Sequence, residues 1–122
     1  MARGVDEFGK ILMEKVRDEA IDDWNRIVSG KFKDARSRAI QERVSKMGPQ
    51  AEALVRDLVP QIVDTTLHHL LWTLEQKQER LKLIVVTDEG ETNVAAEMEG
   101  TGELYTDEGW IARFSKGPKS AL

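Results

Sequence analysis

Four side chains in the N-terminal half have the residue types and the spacing of a metal-binding or acid–base site. Glu19 and Asp23 are four residues apart, and so are Asp64 and His68. Residues four apart are neighbours on one face of a helix, so each pair projects its polar groups together. Carboxylates and imidazoles on facing helices can hold a divalent metal, which activates water for hydrolysis. The spacing predicts, as one alternative, a metal-binding helical site or a small metal-dependent hydrolase.

Basic residues of the next predicted helix offer the two carboxylates of the first helix another role. In an antiparallel hairpin that turns near residue 30, position 19 lies opposite about 42 and position 23 opposite about 38. We therefore expect Glu19 to pair with Arg43, and Asp23 to pair with Arg36 or Arg38. Because an unpaired buried charge costs several kcal/mol, structural ion pairing is the favoured interpretation.

Two adjacent histidines, His68 and His69, require separate interpretations. Their side chains point about 100° apart on a helix, so they cannot bind one ligand together. His68 falls at the edge of a leucine stripe beside Asp64, and we expect that carboxylate to hold it at the core edge. His69 is expected to be solvated. A catalytic or pH-sensing histidine at position 68 is the alternative.

A C-terminal block combines acidic and aromatic residues. Residues 88–112 include eight acidic residues and no basic one, a net charge of −8. Trp and Tyr supply large contact areas and a polar group to protein interfaces. The residues predicted to bind a protein partner are Glu103, Tyr105, Asp107, Glu108, Trp110 and Arg113. In a strand, Trp110 and Phe114 would share one face, and we expect the helices to bury that face.

The charge is segregated along the chain. Residues 29–47 hold six basic and two acidic residues, a net of +4, although the whole chain carries −4. The six cations are scattered around the helix, and Phe32 is the one aromatic residue among them. They form no stacking platform, and the acidic block would repel phosphates. The pattern predicts a basic protein partner and no nucleic acid.

The sequence lacks the motifs of the common catalytic and nucleotide-binding sites. It has no Gly-Lys-Ser/Thr phosphate loop, no G-x-G-x-x-G and no G-x-S-x-G. It has no cysteine, which excludes disulfides, thiolate zinc sites and cysteine nucleophiles. The longest aliphatic run, residues 83–86, is too short to cross a bilayer, and the start turns acidic where a signal peptide turns apolar. We expect a cytoplasmic protein without a cofactor or membrane contact.

Apolar periodicity predicts three helices, over about 5–28, 32–46 and 49–79. The stripe of the first comprises Val5, Phe8, Leu12, Val16, Ala20, Trp24, Ile27 and Val28. Pro60 lies inside the third pattern and predicts a break or kink at 57–60. Unbroken, this helix would exceed the diameter of about 35 Å of a compact domain of this size. An intact helix would imply a dimer that covers the overhang.

Short β-branched and aromatic segments follow Arg80. They predict a strand at 81–87 that is buried on both faces, and weaker strands at 93–98, 103–105 and 110–114. The short connections between them require antiparallel pairing. The predicted fold is therefore a single α+β domain over 1–122. Its helical part (about 5–79) precedes a small antiparallel β-meander (about 81–115) packed on the helices, and a loose tail (116–122) ends it.

The missing motifs and the acidic, aromatic-containing sheet favour a non-catalytic protein-interaction or regulatory module. Its partner would be a basic protein, with toxin neutralisation as one role of this class, and a homodimer is a further prediction. The alternative is the metal-dependent hydrolase or metal-binding helical site at Glu19, Asp23, Asp64 and His68.

Overall fold

The structure is a computed structural model that describes residues 3–118. Its helices are α1 (Arg3–Ile11), α2 (Asp18–Val28), α3 (Ala35–Lys46), α4 (Pro49–Gln76), α5 (Val94–Glu97), α6 (Gly102–Tyr105) and α7 (Trp110–Phe114). A π-helical turn, Leu12–Arg17, joins α1 to α2 without interruption, and β1 (Ile84–Thr87) and β2 (Gly90–Asn93) form one antiparallel hairpin. The predicted class is confirmed: an N-terminal helical segment with a small antiparallel sheet packed against it.

The ends of the long helices follow from local sequence. The Asp34 carboxylate caps α3 by accepting the Ser37 backbone N–H at 3.0 Å, which also lowers the pKa of Asp34. Gly48, at φ 94°, separates α3 from α4, and Pro49 occupies the first turn of α4, where its missing N–H costs nothing. Within residues 3–118, no helix is both long and apolar enough to cross a membrane.

The π-helical turn changes which face of the first helix is buried. A π turn contains one more residue than an α turn, so it rotates everything after it by about one position. The predicted stripe places Val16 inside, but Val16 is 46% exposed and Arg17 is fully buried. After the turn, Ile21 and Val28 continue the buried face. The predicted buried face is therefore correct up to residue 12, but the next buried position is Arg17, one residue later than the predicted Val16.

The predicted break at 57–60 does not occur. Helix α4 continues through Pro60 for 28 residues, a length of about 42 Å at 1.5 Å per residue. Val59 and Pro60 are both buried, and α4 packs along α2. Proline in a helix interior costs about 3 kcal/mol, and tertiary packing on both sides of Pro60 offsets that cost.

The β structure is smaller than the predicted meander. Strand β1 begins at Ile84 instead of residue 81, and it is not buried on both faces, because Ile84 and Val86 are exposed. Val85 alone of its aliphatic residues packs on the core. The hairpin lies against α1, so the face that carries Ile84 and Val86 remains open.

The other three predicted strands are short helices. Residues 94, 95 and 98 are buried, as are 110 and 111, with 114 half-buried. These sets follow an i, i+1, i+4 spacing, which one side of a helix satisfies and a strand, with alternating faces, does not. Helix α6 replaces the strand predicted at 103–105 and buries Leu104.

The core lies between α1, the C-terminal half of α4 and the short helices α5–α7. The indole of Trp110 is fully buried at its centre and meets the Phe8 ring edge-to-face, with ring centroids 5.7 Å apart. Gly9 makes this close packing feasible, because a methyl group at that position would lie 2.5 Å from the indole. Trp110 therefore fixes the position of α7 on α1.

The predicted loose tail is partly ordered. The backbone N–H groups of Lys116 and Gly117 donate to the Asp18 carboxylate, and the Pro118 carbonyl accepts from Arg17. These bonds fasten residues 116–118 to the first helix. The remainder of the predicted tail, 119–122, lies outside the described residues.

Gly9→Ala tests the packing of Trp110. The added methyl group overpacks a dense core, so we expect a loss of about 1–3 kcal/mol in the free energy of unfolding, measured by urea titration. Gly102→Ala is the matched control, because a methyl group at Gly102 meets nothing within 4 Å. Equal stability of the two variants would contradict the packing described.

Candidate functional site

An acidic concavity lies between α1 and the short C-terminal helices. Its volume is about 660 Å³. The lining residues are Val5, Asp6, Glu97, Glu99, Gly102, Glu103, Thr106, Glu108 and Arg113, which include five carboxylates and one guanidinium. We call this concavity the acidic cleft. It forms because α5, α6 and α7 are short and turn sharply, which brings acidic residues from three loops and helix ends together over α1.

One wall of the acidic cleft is an ion pair. The Arg113 guanidinium donates to the Asp6 carboxylate at 2.9 Å, and this hydrogen bond holds the pKa of Arg113 above its usual range. The same guanidinium lies over the Phe114 ring, 4.8 Å from the centroid. The pair joins α7 to α1 and neutralises one of the five carboxylates.

The other four carboxylates form no direct ion pair within residues 3–118, although Arg113 also attracts Glu103 and Glu108. Glu97, Glu99 and Glu108 are exposed, and Glu103 is half-buried. One oxygen of Glu103 accepts the Glu99 backbone N–H at 3.0 Å, which holds this carboxylate at the edge of the cleft. Four like charges around one concavity repel each other, so the cleft favours a bound cation.

Three of the six predicted partner-binding residues line this cleft: Glu103, Glu108 and Arg113. Tyr105 and Asp107 are exposed outside its lining, and Tyr105 points instead toward α4. Trp110 is fully buried, because helix α7 turns both Trp110 and Ile111 into the core. Glu97, Glu99 and Asp6 are the other charged residues of the lining. The net charge of −8 over residues 88–112 was the sequence signal for Glu97 and Glu99. The position of Asp6 in the cleft depends on tertiary structure.

The four residues of the predicted metal site lie in different environments. Glu19 and Asp23 are exposed on α2, Asp64 is fully buried in α4, and His68 is half-buried one turn further along α4. In the part of the chain that the structure describes, no three carboxylate or imidazole side chains are placed to hold a metal ion.

The predicted ion pairs of Glu19 and Asp23 do not form between the described residues. Helix α3 turns Ser37, Ile40 and Val44 toward its neighbours. Its basic residues Arg36, Arg38 and Arg43 are all exposed. The hairpin of α2 and α3 exists, but it is rotated so that Glu19, Asp23 and the basic residues of α3 face solvent.

Asp64 pairs with Arg17, a residue outside the predicted site. The guanidinium binds the carboxylate with both ends of its fork, Nε to Oδ1 at 2.6 Å and Nη2 to Oδ2 at 3.1 Å. Both side chains are completely buried. The bidentate geometry is the strong form of this interaction. Position 17 lies four residues from both Met13 and Ile21, and this placement on an apolar stripe is the signal that could have identified it.

The remaining donors of Arg17 extend the network to the end of the described chain. Nη1 donates to the Ser115 hydroxyl at 2.7 Å, and Nη2 donates to the Pro118 carbonyl at 2.6 Å. The Ser115 hydroxyl in turn donates to Asp18 at 2.6 Å. One guanidinium therefore ties the π turn, α4 and the C-terminal segment together.

A second, shallower pocket of about 490 Å³ lies on α4, lined by Thr65, His68, His69 and Tyr105. The Tyr105 hydroxyl donates to the Asp64 backbone carbonyl at 3.2 Å, and the His68 ring lies 6.1 Å from the Tyr105 ring. Burial, and secondly the Asp64 carboxylate, raises the pKa of Tyr105. His68 therefore neighbours Tyr105, and the carboxylate expected to hold it binds Arg17 instead.

Arg17→Met tests the buried ion pair. The substitution leaves Asp64 charged and buried without a partner, so we expect a loss of about 3–5 kcal/mol in the free energy of unfolding. Adding Asp64→Leu removes the isolated charge and should restore part of that loss in urea titrations.

Arg26→Met is the matched control for that variant, because Arg26 pairs with Asp22 at the surface. Exposed pairs contribute about 0–1 kcal/mol. A double variant less stable than Arg17→Met alone would contradict the proposed cause.

Tyr105 is the one tyrosine of the chain, so its ionisation is visible directly as absorbance at 295 nm. A raised pKa means that folding favours the neutral phenol. The raised pKa therefore contributes to the free energy of unfolding. This contribution is complete below the pKa that Tyr105 has in the unfolded chain, and it disappears as the pH rises through the pKa that Tyr105 has in the folded chain. We expect a titration midpoint above that measured in guanidinium chloride, and Asp64→Asn should reduce the difference. Coincident midpoints in the folded and unfolded chain would contradict the environment described.

Comparison with known proteins yields no relative. No family model matches the chain, and neither a curated protein nor a solved structure is significantly similar to it. The comparisons therefore supply neither a family nor a function. The geometry of the acidic cleft is the basis on which a function is proposed.

Proposed function

We propose that this protein is a non-catalytic interaction or regulatory module whose acidic cleft binds a basic segment of a partner protein. The observation that carries the proposal is the excess of five carboxylates over one guanidinium around one concavity, in which Arg113 is hydrogen-bonded to Asp6 and no ion pair engages Glu97, Glu99, Glu103 or Glu108 among the described residues. The proposal moves the predicted interface from the face of a sheet to a cleft between short helices.

Electrostatics supports a cationic ligand. A cleft lined by one sign of charge focuses the field, which raises both the local concentration of counter-charged groups and their rate of association. Lysine and arginine side chains bring flexible or planar donors that suit carboxylates. The same field repels an anionic ligand, and a purely apolar ligand would desolvate the carboxylates without replacing their hydrogen bonds.

The size of the cleft supports a short segment. A volume of about 660 Å³ is in the range of sites that enclose a few side chains. The carboxylates come from α5, α6 and the connections between the short helices, so they line the cleft from several directions. This arrangement suits one or two basic side chains of a bound segment better than an extended flat surface.

Regulatory proteins that neutralise a basic toxin belong to this class, since masking a cationic surface requires only binding. The lack of cysteine suits a reducing compartment, and the proposal therefore places the protein in the cytoplasm. A second copy of the chain is the other partner predicted from sequence, and it would use a surface on α4 that shares no residue with the acidic cleft.

Binding of a labelled octalysine peptide, measured by fluorescence anisotropy, tests the proposal. We expect salt-sensitive binding by the wild type, because screening weakens contacts between exposed charges. The variant Glu97→Lys with Glu108→Lys reverses two exposed carboxylates of the cleft and should weaken binding by at least about tenfold.

Glu19→Lys with Asp23→Lys is the matched control. It changes the net charge by the same amount at two exposed carboxylates on α2, away from the cleft. The control should retain most of the affinity. Equal losses in the two double variants would mean that peptide binding follows net charge alone, and that result would overturn the proposal, as would the absence of binding at low salt.

A further inference from the structure

Helix α4 carries an exposed seam on the side opposite the core. Its members follow alternating steps of three and four residues: Val55, Leu58, Ile62, Thr65, His69 and Trp72. Leu58 is 40% exposed, Ile62 60% and Trp72 49%. The 3–4 spacing is that of a helix that packs along another helix. Trp24 flanks the first part of the seam and Tyr105 lies beside Thr65 and His69, whereas Ile62 and Trp72 remain open to solvent.

One end of the seam opens into an apolar groove. Trp24 of α2 and the α4 residues Val55, Leu58, Val59, Ile62 and Val63 line a concavity of about 220 Å³. Trp72, the largest exposed side chain of the seam, lies about 20 Å further along the helix at 1.5 Å per residue. The chain therefore carries an aromatic projection and an apolar recess at opposite ends of one helix face.

We infer that a second copy of this chain covers the seam, with the two α4 helices antiparallel and related by a two-fold axis between positions 62 and 65. In this arrangement Leu58 lies opposite His69 of the second copy, and Trp72 reaches the groove end of the second copy. A two-fold interface requires such a self-complementary surface. Parallel helices would place Trp72 against Trp72 and groove against groove.

The distribution of charge selects the same orientation. Helix α3 leads through Gly48 into the start of α4, and its residues 35–46 carry four basic side chains and one acidic. The acidic block, residues 88–112, lies along the C-terminal half of α4, where Gly100 approaches Glu75 and the Tyr105 hydroxyl donates to the Asp64 carbonyl. Antiparallel pairing sets the basic end of each copy near the acidic end of the other, whereas parallel pairing sets like against like.

The available area is enough for a modest dimer. The six seam side chains are on average about half exposed, so each presents roughly 100 Å² of a full surface of about 200 Å², and complete coverage buries roughly 600 Å² of one copy. Two copies then bury about 1,200 Å², which is the lower end of the range for specific interfaces. We expect a dissociation constant on the order of micromolar.

Sedimentation equilibrium over a concentration series through the micromolar range tests the dimer. The wild-type mass should rise toward twice 13.8 kDa, and Ile62→Glu should remain at 13.8 kDa at every concentration. Val86→Glu is the matched control, because Val86 is a 71% exposed aliphatic residue on β1, away from the seam. It should dimerise like the wild type.

A wild type that stays at the monomer mass at the highest concentration would overturn the inference. Equal loss of dimer in Ile62→Glu and Val86→Glu would also overturn it. Circular dichroism verifies that both variants fold. Ile62→Glu leaves the acidic cleft unchanged, so octalysine binding by this variant separates failure of the dimer from failure of the proposed function.

Disulfide formation tests the orientation, since the chain has no cysteine of its own. Leu58→Cys and His69→Cys should form a disulfide when mixed, and neither should form one alone, because antiparallel copies place each position about 16 Å from itself along the axis. Parallel copies would give the opposite pattern. Disulfides in each variant alone, with none between them, would overturn the antiparallel arrangement.

Discussion

The buried ion pair of Arg17 and Asp64 organises the molecule. Burying two charges is expensive, and it is tolerated only where geometry and further hydrogen bonds satisfy both groups. Here the fork of the guanidinium meets both carboxylate oxygens, and its remaining donors reach Ser115 and Pro118. Three parts of the chain that are far apart in sequence must be in place for these bonds to form together. The pair therefore specifies one arrangement of the first helix, α4 and the C-terminal segment.

This arrangement also positions the surfaces proposed to bind partners. The carbonyl of Asp64 holds Tyr105 at the end of α6, and α6 carries Glu103 at the edge of the acidic cleft. The ion pair of Arg113 with Asp6 and the burial of Trp110 fix the opposite side. Because the inner side of α4 is committed to the core and to Arg17, its exposed seam remains for contact with a second copy. The interior contacts thus separate two surfaces of different chemistry, one acidic and one apolar.

Sequence periodicity was sufficient for the long elements and insufficient for the short ones. The helices at 35–46 and 49–76 and the class of the fold were predictable, because many turns repeat the same apolar spacing, but the break expected at Pro60 was wrong. The segments at 94–97 and 110–114 span about one turn, too few residues to distinguish helical from strand periodicity, so tertiary packing decides their structure. The acidic composition of the cleft and the burial of Trp110 were visible in sequence, whereas the partner of Trp110 in the core, Phe8, lies about a hundred positions away and is set by tertiary structure.

The π-helical turn has a consequence for how this protein tolerates substitution. Up to the start of the turn, the buried positions of the first helix include 5, 12 and 13, and from the last residue of the turn onward they are 17, 21 and 28. Saturation mutagenesis of this segment would show two sets of sensitive sites that no single 3.6-residue repeat connects. Losing one residue within 12–17 would let an uninterrupted α-helix restore the common repeat, whereas the same loss elsewhere in the helix would misalign one half of the molecule against the other.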